Sequence, residues 1–453
     1  LHQKLLHTAS FHLDSSSDRS NEELLLDAYQ GQASDELVEK LWAYGRYLMV
    51  CAYGEEEQPC NLIGLWNGSY RGFWAIHMLN QNLQEIYWHT LSGNMPQMLL
   101  RVFDYYEKGM EELRHNARQL YGCRGIFIPA ITTPESLTLK CMANHIIYWT
   151  GGAAWLCQHY YDYYLYTNDL DFLKSRAMPM MYETYLFYRD FLVLDETGHW
   201  KIYPANSPEN TASSVMKKGD LEICVNPTLE FALLKELLVH LMEGAQRTGL
   251  HQKEIGDFQE MYEKIPPYQV NEDGAIREWM DPRFSDRYTH RHMSQAFPAF
   301  PGTEVTRYQH QEWRKPISIS LDKRITVGIN DCTSWSLAHM SCAYARLNEG
   351  EKAVDCLDIL ARTCLINNLF TLHNDWRQMG ICFPHKIAPF QIDANMGWVQ
   401  AVHEMLLFSG EGVIELLPAL PRRWKNGEIK GLLAKGGYQV DIRWKNGKLE
   451  DYR

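Results

Sequence analysis

Two acidic residues stand in turn-rich loops where a carboxyl group could do chemistry: Glu209 in Asn206-Ser207-Pro208-Glu209-Asn210, and Asp393 in Phe390-Gln391-Ile392-Asp393-Ala394-Asn395. Cleavage of a glycosidic bond uses such a pair, one group to protonate the leaving oxygen and one to activate water or attack the anomeric carbon. Taken singly, either residue is equally well a solvated side chain or a helix cap. A second concentration runs from Trp66-Asn67 through Trp74, His77, Asn80 and Asn82 to Tyr87-Trp88. Flat aromatics offer faces for sugar rings and carboxamides pair with hydroxyls, so the mixture suits a carbohydrate pocket. Core Trp and Tyr with capping Asn would give the same composition.

The run His290-Arg291-His292, with His339, His373 and His385 elsewhere, invites a metal reading. No H-E-x-x-H helix or Cys/His ladder accompanies it, and the alternating pair His290 and His292 fits a substrate-contacting segment as well. No metal is therefore expected. Gly68-Ser69-Tyr70-Arg71-Gly72 places its Ser in the wrong slot for a nucleophile elbow, and neither a Walker loop nor a G-x-G-x-x-G string occurs. Serine-hydrolase and nucleotide-dependent chemistries drop out.

The elements that must position these groups read mainly as helix. Leu99, Val102, Tyr106, Met110, Leu113, Ala117 and Leu120 form one apolar stripe, and Leu229, Leu233, Leu237, Leu241 and Ala245 form another just after Pro227. Steps of three and four residues put such positions on one helical face. Short polar turns at Thr167-Asn168-Asp169, Arg247-Thr248-Gly249 and Asn348-Glu349-Gly350 lead straight into further helix, which makes neighbours antiparallel. Repeated hairpins predict a toroid or a solenoid of helix pairs. Beyond Ser409 the period changes to two: Tyr438, Val440, Ile442 and Trp444 alternate with polar residues, and Asn446-Gly447 supplies a hairpin turn. Long loops at 126–139 and 203–226 are where function is expected.

With 453 residues, 45% of them hydrophobic, the chain can bury a large core. A net charge of -12 without a Lys/Arg-rich run argues against nucleic acid as partner. No apolar run approaches the ~20 residues of a membrane helix. Eleven scattered cysteines without a C-x-x-C pair predict buried free thiols in a reducing compartment, cytoplasmic rather than secreted. The start at Leu1 predicts a piece of a longer chain.

In these motifs the sequence resembles glycoside hydrolase family 95, the α-L-fucosidases and some α-L-galactosidases. The resemblance starts at Tyr44-Gly45-Arg46-Tyr47-Leu48 and Asn61-Leu62-Ile63-Gly64-Leu65-Trp66-Asn67, and passes through Ser207-Pro208-Glu209 and His290-Arg291-His292-Met293-Ser294. It continues in Phe390-Gln391-Ile392-Asp393-Ala394-Asn395 and closes with Leu416-Leu417-Pro418-Ala419-Leu420-Pro421. It implies an (α/α)6 barrel with a small C-terminal β element. The expected boundaries are a linker or lead-in helix at 1–30, the catalytic barrel at 31–409 and the start of a β domain at 410–453.

The resemblance further implies an inverting exo-acting hydrolase for a terminal α-linked L-fucose or L-galactose-like sugar on an oligosaccharide or glycoconjugate, with no cofactor. Glu209 matches the general acid, and Asp393 the base, working with the carboxamides of Asn80 and Asn82. Trp66, Asn67, His77, Met78, His290, His292, Trp335 and His385 match substrate-contacting positions. Three departures bear on the sugar: Met78 where relatives often carry His or Thr, Glu85-Ile86 for Met-Asn, and His339 and Met340 for a Trp and a basic residue. Another helical-barrel glycosidase, a phosphorylase, or a non-catalytic sugar-binding protein are the competing readings.

Overall fold

The computed structural model describes residues 2–15, 18–53, 58–70, 72–141, 143–215, 223–380 and 388–453. Its frame is a ring of helices. The ones used below are α1 (Asp35–Ala52), α2 (Asn82–Ser92), α3 (Gly152–Thr167), α4 (Met178–Phe191), α5 (Thr228–Thr248), α6 (Arg314–Thr326), α7 (Ser334–Arg346), α8 (Gly350–Cys364) and α9 (Asp393–Leu406).

Local chemistry starts and stops these helices. Ser34 accepts a hydrogen bond from the Leu37 N–H ahead of Asp35 and Glu36, so α1 begins with a cap and with negative charge against its dipole. Thr333 and Ser336 cap α7 reciprocally. Pro227 precedes α5, and Gly249 ends it at φ +77°, a conformation that favours glycine. The predicted stripe of α5 is buried throughout, and its turn leads into the helix Ile255–Glu263 as the spacing predicts. The other stripe is carried by two helices, Gln97–Lys108 and Met110–Tyr121, which meet at Gly109.

α2 and α9 are buried on every side. Helices buried all round belong to the inside of a domain, and here they carry polar groups that tie the ring together. Arg346 on α7 forms a bidentate pair with Glu404 on α9, both contacts at 2.8 Å. His403 accepts from Trp42 of α1 at 3.0 Å and meets the Ser92 hydroxyl of α2 at 2.9 Å. Small residues permit the closest approach. A Cβ on Gly45 would fall 2.6 Å from Val399 Cγ2 and closer still to the carbonyl oxygen of Asn395. Gly45→Ala is therefore expected to pry α1 from α9 and destabilise the protein by about 1–3 kcal/mol, read as a lowered urea midpoint.

The strands are β1 (Ser10–His12), β2 (Leu407–Gly410), β3 (Val413–Leu416), β4 (Gly427–Ala434), β5 (Tyr438–Lys445) and β6 (Lys448–Tyr452). β5 and β6 turn at Asn446-Gly447, both at positive φ, as the sequence predicts. Val440, Ile442 and Trp444 face inward. The sheet order is β1-β4-β5-β6, so a strand from the lead-in segment completes the C-terminal sheet, with Phe11 opposite Ile429. Among the described residues the cysteines are free, most of them buried, and no helix is long and apolar enough to cross a membrane.

Candidate active site

Asp393 and Asn82 are each the first residue of an inner helix, α9 and α2. The two helices lie side by side, and Asn82 Nδ2 donates to Asp393 Oδ2 at 2.7 Å. The other oxygen, Oδ1, accepts from the backbone N–H of Ala394 at 2.9 Å. Burial pushes the Asp393 carboxyl up to about 7 against these two hydrogen bonds.

Glu209 is brought to the same region by a loop fastened from below. Glu278, fully buried, accepts from Ser207 Oγ at 2.8 Å and from Asn210 Nδ2 at 2.7 Å, and is paired with Arg324 of α6 at 2.8 Å. Ser294 Oγ donates to the Pro208 carbonyl at 2.8 Å. Glu209 Oε1 accepts from Asn80 Nδ2 at 2.9 Å, Oε2 is paired with Arg291, and His292 Nε2 lies 3.8 Å away. Burial alone would raise the Glu209 carboxyl. The Arg291 charge and the His292 hydrogen bond outweigh it and hold the group well below the usual carboxylate range.

Asn80 and Asn82 follow the short strand His77–Met78, which pairs with Ile131–Thr132 in one of the long loops. One carboxamide thus serves each carboxyl group: Asn80 is bonded to Glu209, where the sequence reading has both amides working with Asp393. With its NH2 donated, Asn80 Oδ1 is buried and accepts no hydrogen bond from the described residues. That oxygen can receive a proton donor such as water or a sugar hydroxyl.

The remaining sequence candidates fall into two sets. His292 packs edge-on against Trp335 at 4.8 Å and stacks with His290 at 5.4 Å, so these three line the Glu209 side. Burial lowers both histidines, which keeps them neutral at pH 7. His77, in contrast, is turned into the body: its Nε2 is 3.0 Å from the Pro59 carbonyl and its ring packs on Tyr105 at 5.0 Å. Neighbouring residues on a strand point to opposite sides, which leaves partly exposed Met78 facing the other way. Asn67 is exposed and closes its own turn through Ser69, while half-buried Trp66 packs against Phe370 at 5.6 Å. His385 lies outside the described residues.

Arg291 and Glu278 are absent from the sequence-derived set. The first sits inside the His-Arg-His run and could have been chosen with its neighbours. Glu278 carries no local signal. Under Asn82 and Asp393, Gln81 Nε2 donates to Glu85 Oε2 at 3.2 Å and to His339 Nδ1 at 2.7 Å, so two of the three departures meet through one amide. Among the described residues no group of three His, Cys, Asp or Glu is arranged to hold a metal ion.

The chain is similar to known proteins in sequence and in fold. The Glycosyl hydrolase family 95 catalytic domain profile matches residues 1–406, and the Glycoside hydrolase family 95 C-terminal domain profile matches residues 408–453. Alpha-L-fucosidase 2 of Arabidopsis thaliana is 32% identical over 473 residues, covering 100% of this chain and 54% of its own length. A probable alpha-fucosidase A of Aspergillus niger is 26% identical, with 96% of this chain and 55% of the relative covered. The chain thus spans about half the length of the curated relatives it matches. Among solved structures, a human-microbiome protein named as a kojibiose phosphorylase superposes with a TM-score of 0.64 at 12% identity, over 91% of this chain and 61% of that one. A family GH78 rhamnosidase of Bacillus sp. GL1 follows at 0.53 and 12%, over 90% and 39%. At such identity the likeness concerns the fold, an (α/α)6 barrel with a small C-terminal sheet. With both of its profiles spanning almost every residue, the chain belongs to glycosyl hydrolase family 95.

Proposed function

We propose that this chain carries the catalytic centre of an α-L-fucosidase-type hydrolase that releases a terminal α-linked L-fucose or L-galactose-like sugar with inversion. The observation that carries the reading is the double pairing of Asn82 with Asp393 and Asn80 with Glu209, on separate elements of one barrel end. A water held by the carboxamide oxygens attacks the anomeric carbon and gives its proton to Asp393. The bond to the leaving oxygen breaks as Glu209 protonates that oxygen. In the free protein Arg291 keeps Glu209 ionised. A leaving group seated between the two restores the proton by separating the carboxylate from the charge that suppresses it. Trp335, His290 and His292 flank the sugar on the acid side.

The test is turnover of a 4-nitrophenyl α-L-fucoside and its L-galactoside analogue, with the first-formed product anomer followed by NMR. Initial release of the β-anomer is expected. A base works only when deprotonated, so kcat/KM should fall as pH drops through about 7, the Asp393 value. Release of the α-anomer would replace inversion by retention. A rate that requires inorganic phosphate would select the phosphorylase, and absence of turnover on every glycoside would leave only sugar binding.

A further inference from the structure

A cavity of about 740 Å³ lies away from the catalytic groups. It is lined by the final turns of α3, by α5 from Ala232 to Arg247, and by the 297–310 loop, the β2–β3 hairpin and the β4–β5 turn. α5 fixes where that is. Its first residue, Thr228, donates from its backbone N–H to the carbonyl of Glu278, the residue that fastens the Glu209 loop. Arg247 at the cavity lies nineteen residues further along the same helix, about 28 Å at 1.5 Å per residue. Likewise Asp393 opens α9, while β2, which lines the cavity, begins where α9 ends. The cavity runs along α5 toward the end of the barrel opposite the catalytic groups.

The lining excludes strongly charged ligands. Lys235, Arg247 and Lys435 are matched one for one by Glu243, Glu304 and Glu411. Lys235 pairs with Glu304 at 2.8 Å, Arg247 approaches Glu411 at 3.7 Å, and Lys435 pairs with Asp162 behind the wall at 3.1 Å. The floor is polar but neutral at pH 7. Burial pushes Glu236 up to about 8 and His240 down to about 3, and His240 stacks on Tyr161 at 4.0 Å and 16°. Tyr161 in turn donates to Glu243 at 2.8 Å.

At the rim two aromatic rings stand in solvent, Tyr308 at 51% and Tyr438 at 62% exposure. Tyr308 is held in place by stacking on Phe408 at 6.3 Å and by donating its hydroxyl to Glu415 at 3.1 Å. A fixed ring loses little freedom when a ligand lies on it. Exposed ring faces above a neutral floor of mixed donors and acceptors suit a ligand that is uncharged, ring-shaped and covered in hydroxyls. The volume falls within the ~300–1,000 Å³ of small-molecule sites.

We propose that this cavity is an accessory binding site for a neutral oligosaccharide, taking a sugar segment remote from the bond being cut. The identification of that sugar with the enzyme's own glycan rests on the fucosidase reading above. The site itself does not.

Calorimetric titration of the Asp393→Asn protein, in which turnover is removed, tests the two separately, with L-fucose probing the catalytic mouth and 2′-fucosyllactose probing both ends. One site for L-fucose and two for the trisaccharide are expected. Tyr308→Ala/Tyr438→Ala in the same background should weaken the second trisaccharide site by on the order of tenfold or more and leave L-fucose binding unchanged. In the protein with Asp393 intact, the Tyr pair variant should stay folded and keep its kcat on a small aryl fucoside. Trisaccharide binding that is indifferent to the two Tyr substitutions overturns the proposal. A Tyr-dependent trisaccharide site without any L-fucose site overturns the fucosidase reading and leaves the accessory site standing.

Discussion

Asp393→Asn should lower kcat for α-L-fucoside hydrolysis by on the order of 10²–10⁴-fold while the protein stays folded. Two losses combine. The variant cannot take a proton from water, and its new NH2 group faces the NH2 of Asn82, which now donates to Asp393 Oδ2. Asn82 restores a hydrogen bond by turning its amide over, and the oxygen that held the water is then pointed at residue 393. Stability should move the other way. Burial raises the Asp393 carboxyl to about 7, so the folded state prefers the protonated form. Its stabilising contribution is complete below the ordinary carboxylate range and is lost as pH rises through about 7. The neutral amide escapes that loss, so the variant's thermal midpoint should equal or exceed wild type above pH 7. Unchanged kcat would remove Asp393 from the mechanism.

Glu209→Gln should separate substrates by leaving group. A sugar alkoxide needs a proton as the bond breaks, so kcat on a disaccharide is expected to fall by on the order of 10²–10⁴-fold. Fluoride or 2,4-dinitrophenolate leaves without protonation, and its release should stay near the wild-type rate. The glutamine oxygen can still accept from Arg291, and Asn80 can turn its amide over to present Oδ1 to the new NH2, while the loop stays anchored by Glu278. Partly exposed Arg291 loses its counter-ion to solvent rather than to a dry interior. Equal losses on activated and unactivated substrates would point to a positioning role for Glu209 instead of acid catalysis.

The sequence made some of this legible because periodicity survives where one face is wet. The α5 stripe and the alternation of β5 belong to elements with a dry and a solvated side, and both fold as their spacing predicts. α2 and α9 are buried on all sides and hold Gln84, Glu85, His89, Gln400 and His403 inside. Their polar residues lie inside with the apolar ones, so periodicity does not tell which faces of the helices that carry Asn82 and Asp393 are buried. The four catalytic candidates were visible as motifs, but their pairing was not. Asn80 and Glu209 are 129 residues apart and Glu209 and Arg291 are 82 apart, distances over which local pattern says nothing. His77 shows the converse error. Its residue type fits a sugar site, yet strand alternation turns it toward Pro59 and Tyr105.

The union of β1 with β4 sets a timetable for synthesis. Phe11 is synthesised well before its partner Ile429, which lies about 400 residues behind it. At roughly 5–20 residues per second, the apolar ring waits roughly 20–80 s for the strand that will cover it. Throughout that wait an unpaired edge is open to other nascent chains, which makes the Ser10–His12 strand a stretch in need of a chaperone's hold.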